Sequence, residues 1–220
     1  RDVRSCATAI ARIMGQPTVP SALEFLDAGA LDLLRGRYPG MAPGEARALL
    51  MIEVDGTPSD LDEASAAILA ACRETGLLEA KAVADSTALW AARKALSPLL
   101  RDIAPKKINE DIVVPVTRIP ELLEGLAELS RKHRVANVNF GHAGNGNLHV
   151  NLLVDPEQSG EMERGRECLD EVFDLVLRLH GTLSGEHGIG SEKRQFVGRE
   201  IDAATRELMR GIKRVFDPKG

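Results

Sequence analysis

Residues 139–151 read NFGHAGNGNLHVN. Asn145-Gly146 is a strong two-residue hairpin signal, because a type I′ turn needs positive φ at both central positions. With the turn placed there, residues 135–142 and 147–154 become adjacent antiparallel strands. Gly144 then faces Asn147, Ala143 faces Leu148 and His142 faces His149. Directly opposed residues hold their Cβ atoms roughly 4.5–5.5 Å apart on one sheet face, so both imidazoles reach a single divalent cation. Asn151, two residues beyond His149, points to the same face. The competing reading is a pair of half-buried histidines in a Gly-rich turn. Gly141, Gly144 and Gly146 let another backbone or a flat ligand approach closely. The stretch is not a dinucleotide fingerprint, since it opens into a strand instead of a helix.

Working outward, residues 109–116 form a strand bounded by Pro105 and relieved by Pro115. A helix opens at Ile119-Pro120, with Pro in its first turn, and runs to about His133 with Leu122, Leu123, Leu126 and Leu129 along it. Beyond the hairpin come a long helix over 157–180, closed by Gly181, a short strand over 182–184 and a last helix over 202–216. From 109 to 185 the order is strand, helix, strand, strand, helix, strand, the split βαβ pattern of ferredoxin-like domains. The first half is less regular. It offers a helix over 1–14, a strand over 22–26, helical turns over 28–34 and a Gly/Pro-rich connection over 35–44. A continuous apolar strand over 46–54, a helix over 59–75, a short strand over 80–84 and a helix over 86–96 follow. The expected fold is α+β: two ferredoxin-like modules with antiparallel sheets and helices packed on one face. They are divided into 1–104, truncated at its opening strand, and 105–220.

A second chemical cluster lies at residues 181–190, GTLSGEHGIG. Glu186 offers a carboxylate as a third metal ligand, and His187 is a base near neutral pH. Two histidines and a glutamate with an open position form a catalytic rather than a closed structural metal arrangement. A solvated Gly-rich surface loop is the plainer reading. Wiring also raises a conflict. In an ideal ferredoxin-like sheet the fourth strand ends at the edge opposite the hairpin tip, which puts Glu186 far from His142 unless the loop travels back.

Composition narrows the function classes. The chain has 220 residues, a net charge of −5, 44% hydrophobic and only 3% aromatic residues. An acidic, aromatic-poor surface argues against nucleic acid or anionic membranes as partners. No apolar run approaches the roughly 20 residues that span a bilayer. Cys6, Cys72 and Cys168 are scattered without a CxxC pair, which points to a reducing compartment. The expected location is the cytoplasm, with peripheral attachment at the inner face of the membrane left open. The chain opens at Arg1 inside a helical pattern, without Met, and stops on the turn-forming Asp217-Pro218-Lys219-Gly220, so it reads as a piece of a longer protein.

GHAGNGNLH, SGEHGIG, the lead-in KKINEDIVVPVTRIPELLE and the LEFLD and FDPKG segments resemble the C-terminal half of FAD-linked oxidases. These are the glycolate oxidase subunit, D-lactate dehydrogenase and D-2-hydroxyglutarate dehydrogenase group of vanillyl-alcohol-oxidase-like flavoproteins. The resemblance covers about residues 17 to 220. It implies a substrate domain of two ferredoxin-like modules and an N-terminal FAD-binding domain absent here, so the chain alone is expected to be inactive. It implies His142, His149 and Glu186 as ligands of a divalent metal (zinc, manganese or iron) and His187 as the base. It further implies Asn151 as a substrate contact, Arg93, after Trp90, as the clamp on the substrate carboxylate, and Ser97 as an assisting hydroxyl. An electron acceptor or iron–sulfur partner subunit is also compatible with it. Two departures stand out. Asn145 replaces the family's usual Asp, which serves the turn equally but removes a negative charge. Asn109 stands where some members carry a Lys, with Lys106 and Lys107 nearby, which weakens a dicarboxylate reading.

The chemistry suits these residue types. Oxidising a 2-hydroxy acid to the 2-oxo acid needs a planar guanidinium on the carboxylate, a metal to lower the hydroxyl pKa, a base for its proton and a flavin for the hydride. The alternative is a metal-binding or interaction module without redox activity.

Overall fold

The computed structural model describes residues 2–73 and 75–220; Arg1 and Glu74, each inside an expected helix, lie outside the described residues. The first half comprises α1 (Val3–Met14), β1 (Ala22–Asp27), α2 (Ala28–Arg35), β2 (Ala48–Glu53), α3 (Pro58–Cys72) and α4 (Thr87–Leu99). The second comprises β3 (Lys106–Val113), α5 (Ile119–His133), β4 (Ala136–His142), β5 (Asn147–Val154), α6 (Glu161–Arg178), α7 (Val197–Glu200) and α8 (Ala203–Phe216). Helix starts carry their expected chemistry. Asp27 caps α2 by accepting the Ala30 amide, and Thr57 with Asp60 forms a capping box at α3, where Pro58 occupies the first turn.

The α+β class with antiparallel strands holds. Its arrangement differs from two separate sheets: all five strands join one sheet in the order β2-β1-β4-β5-β3. The join is the pairing of Glu24, Phe25 and Leu26 with His142, Gly141 and Phe140, which covers the edge of β4 that a lone ferredoxin-like unit would leave open. Helices lie on both faces, not on one. Ile10 and Ile13 of α1, Leu122 and Leu126 of α5 and Val172 and Val176 of α6 pack against Phe25, Leu148, Val150 and Leu152. On the other face Ala30 and Leu34 of α2 and Ala92 and Leu96 of α4 pack against Leu26, Met51, Val138 and Phe140.

Three smaller expectations change. The apolar run at 46–54 forms β2 at the sheet edge, half-buried, because only β1 pairs with it. Residues 80–84 are exposed and form no strand. The fourth strand of the ferredoxin-like unit shrinks to one bridge, Thr182 opposite Val113. The last helix is unusual: α8 has no buried residue, and Leu208, Ile212, Val215 and Phe216 are exposed on it.

Candidate active and metal site

The hairpin register is shifted by two residues from the expected one. Phe140, not His142, faces His149, and His142 faces Glu24 on β1. The cause is the turn. Residues 143–145 wind into a single 3₁₀ turn, and only Gly146 takes the left-handed conformation (φ 81°), so the loop is longer than a type I′ turn. Gly146 is obligatory there, because a Cβ would lie 1.9 Å from the Val114 carbonyl oxygen. Asn145 has a structural task, accepting the Asn147 amide at 3.2 Å. A shift of two preserves side-chain parity. The two histidines therefore still share a face, as diagonal neighbours with ring centroids 5.4 Å apart.

Glu186 completes the cluster. Its Oε1 lies 3.4 Å from His149 Nε2 and 3.7 Å from His142 Nε2, and one ligand atom from each of His142, His149 and Glu186 falls within 4.8 Å of the others. The wiring conflict resolves because the truncated fourth strand leaves the sheet beside Asp111, which faces His149 across β3 and β5. The loop crosses to the histidines from there. His187 stacks on His149 at 5.5 Å between centroids, exposed at the rim.

The donor set fits a divalent metal. His142 Nδ1 is hydrogen-bonded to the Glu24 carboxylate, which fixes the proton on Nδ1 and turns the Nε2 lone pair toward Glu186. A carboxylate behind a ligating imidazole is the usual orienting partner at metal sites. Burial, reinforced by the neighbouring His142 ring and Arg93 guanidinium, pushes His149 down to about 4, so its ring is neutral near pH 7. Glu24 is 3% exposed and also accepts Arg93 Nε at 2.6 Å. Arg93 lies over the Phe140 ring at 4.7 Å, and its bond to Glu24 uses Nε, which leaves the terminal guanidinium nitrogens for a carboxylate ligand.

Two expected substrate contacts stand elsewhere. Asn151 is fully buried one rung below His149. It accepts from Asn109 Nδ2 at 2.7 Å and donates to the carbonyls of Val138 and His149. Its amide is engaged inside the sheet and does not reach the cluster surface. Ser97 is exposed one turn beyond Arg93 and accepts Lys107 Nζ at 2.6 Å.

Sequence reasoning missed Glu24, Asp111 and Lys193. Glu24 and Asp111 each sit in an apolar strand, LEFLD and NEDIVV, and an acid inside such a run was the available signal. Asp111 is 0% exposed, and burial alone would raise its carboxyl. The Lys193 ammonium and the His187 and Glu186 amides outweigh burial and hold it well below the usual carboxylate range.

Comparison with known proteins identifies the fold and the family. The fold matches p-cresol methylhydroxylase with substrate bound at a TM-score of 0.71 and 15% identity, covering 99% of this chain and 48% of that one. That likeness shows a shared fold, not a shared reaction. The profile of the family described as FAD linked oxidases, C-terminal domain, matches residues 1–220, and the chain belongs to this family. It is 29% identical to the glycolate oxidase subunit GlcD of Bacillus subtilis (strain 168) over 99% of this chain and 47% of that protein. It is 31% identical to GlcD of Escherichia coli (strain K12), over 99% and 44% respectively. A D-lactate dehydrogenase of Anaerostipes hadrus is 29% identical over 99% and 48%. The chain thus spans about half the length of the curated relatives it matches. No helix among the described residues is long and apolar enough to cross a membrane.

Proposed function

We propose that this chain is the substrate-side half of an FAD-dependent oxidoreductase that converts a small 2-hydroxy acid, such as glycolate or D-lactate, to its 2-oxo acid. The observation that carries this reading is the convergence of His142, His149 and Glu186 within 4.8 Å, with Arg93 and His187 beside them. The relatives' names, a glycolate oxidase subunit and a D-lactate dehydrogenase, agree with it.

In this reading Arg93 binds the carboxylate through its terminal nitrogens, since a planar guanidinium matches the two oxygens. Glu24 fixes Arg93 and His142 relative to each other, because it bonds both. His142, His149 and Glu186 would hold a zinc, manganese or iron ion. When bound, such an ion would lower the pKa of the substrate hydroxyl, and FAD would supply the hydride acceptor. His187 Nε2, exposed beside Glu186, receives the hydroxyl proton and passes it to solvent.

The test is the full-length protein carrying this chain, loaded with FAD and assayed for dye reduction with glycolate and D-lactate, together with elemental analysis. A stoichiometric divalent metal, its loss in His142→Ala and a raised KM in Arg93→Lys are expected. Absence of metal from the active protein, or unchanged turnover in His142→Ala, sinks the metal role. Failure of every 2-hydroxy acid to reduce the flavin sinks the reaction class.

A further inference from the structure

We infer that the buried pair Asp111–Lys193 is the positioning device that sets Glu186 and His187 against the two sheet histidines. This rests on the metal reading of the site and deepens it. Asp111 Oδ2 accepts three consecutive backbone amides, Gly185 at 2.9 Å, Glu186 at 2.5 Å and His187 at 2.8 Å. Asp111 Oδ1 accepts Lys193 Nζ at 2.5 Å and Ser184 Oγ at 3.3 Å. Lys193, only 4% exposed, also donates to the Leu183 carbonyl at 2.7 Å and lies 3.1 Å from Glu110 Oε2.

The arrangement has a consequence for placement. Successive amides curled around an anion form a nest, and here the anion is a side chain of the central sheet. The strand before the loop is one bridge long, and past it a single backbone bond, the Gly185 amide to the Asp111 carbonyl at 3.0 Å, ties the loop to β3, so ladder bonds do not fix residues 186 and 187. Asp111 does, and its rung is that of His149. The Glu186 carboxylate and the His187 ring are thereby referenced to the same pair of strands as the metal-facing imidazole. Lys193 sits at the far end of the same loop and returns it to Asp111, closing residues 184–193 around one carboxylate. Gly185 permits the contact: a Cβ there would lie 1.6 Å from Asn147 Nδ2. Neither Asp111 nor Lys193 lies among the ligand atoms, so both act through the loop.

The experiment compares the full chain with Lys193→Met, which keeps volume and leaves the three amides on Asp111, and with Asp111→Asn. Leu122→Ala, in the core on the opposite sheet face, is the control for general destabilisation. The readouts are cobalt(II) affinity from its visible absorption and residue-resolved amide hydrogen exchange. Lys193→Met is expected to weaken cobalt binding about 10- to 100-fold, the range for partners behind metal ligands. It is also expected to speed exchange at 185–187 about tenfold or more with β5 unchanged. Leu122→Ala is expected to lower stability without changing cobalt affinity. Unchanged affinity in Lys193→Met, or an equal loss in Leu122→Ala, overturns the inference. If the unaltered chain binds no cobalt, the metal reading falls by itself and exchange decides. Local acceleration at 185–187 then supports the positioning role, and its absence removes it.

Discussion

Replacing Glu24 with Gln keeps the shape of the side chain but breaks a bond on one of its two sides. The carboxylate accepts from His142 Nδ1 through Oε1 and from Arg93 Nε through Oε2. An amide has one acceptor oxygen, so one of these donors meets an NH2 group instead. Arg93 is only 12% exposed at its side chain, and Glu24 only 4%. A buried charge left without its partner costs about 3–5 kcal/mol, and a lost bond to a charged group about 1.5–3 kcal/mol. His142 and Arg93 both keep some access to water, which places the expected loss at the lower end, about 2 kcal/mol. Chemical denaturation measures that loss directly. Metal affinity, read by competition with a chromophoric chelator, is expected to fall about tenfold or more because the His142 tautomer is no longer fixed. If Glu24→Gln leaves both the denaturation midpoint and the metal affinity unchanged, Glu24 is not what orients His142 and Arg93, and the account of the site's left half is wrong.

Other consequences follow from the same contacts. Burial raises the Asp27 carboxyl to about 6 despite the amides it accepts from Ala30 and Asn139. The folded state therefore holds a proton that the unfolded chain releases near pH 4, and the Asp27 contribution to stability is lost as pH rises from about 4 to 6, by about 3 kcal/mol. Denaturation across that window should show a flatter slope in Asp27→Asn than in the unaltered chain; an identical slope refutes the assignment. Gly146→Ala places a methyl against the Val114 carbonyl at positive φ and should cost more than about 1 kcal/mol in thermal or chemical denaturation. On α8, Leu208→Glu with Val215→Glu should change stability by no more than about 0.5 kcal/mol in chemical denaturation. A cooperative loss of structure would show that this face is packed.

The second half of the chain was legible because its signals are local. Pro120, the leucines of α5, Gly181 and the Asn145-Gly146 turn each mark an element by backbone chemistry, and α5, β5 and β3 lie close to where those marks put them. The histidine pair survived an incorrect register for a physical reason: the turn error was two residues, and a strand alternates with period two. An error of one would have separated His142 and His149 onto opposite faces. What stayed hidden depends on pairing at a distance. The contact of β1 with β4 merges the expected sheets, and nothing in residues 22–27 names β4 as a partner. Glu24 acquires its meaning only through that pairing, and Asp111 only through a loop 74 to 76 residues away.

The site is in effect a cross-section of the sheet. Reading across β1, β4, β5 and β3 gives Glu24, His142, His149 and Asp111, in the order in which the strands are paired. The two histidines occupy the middle and a buried carboxylate stands at each side. The flanking carboxylates have different tasks. Glu24 holds side chains, His142 and Arg93, that already sit on regular elements and need only rotational fixing. Asp111 holds backbone, three amides of a loop that has left the sheet. That division explains why two acids tolerate burial on neighbouring rungs: each is neutralised locally, Glu24 by Arg93 and Asp111 by Lys193. It also explains how a Gly-rich loop can carry Glu186 and His187 at defined positions, since the glycines supply the curvature and the sheet supplies the reference point.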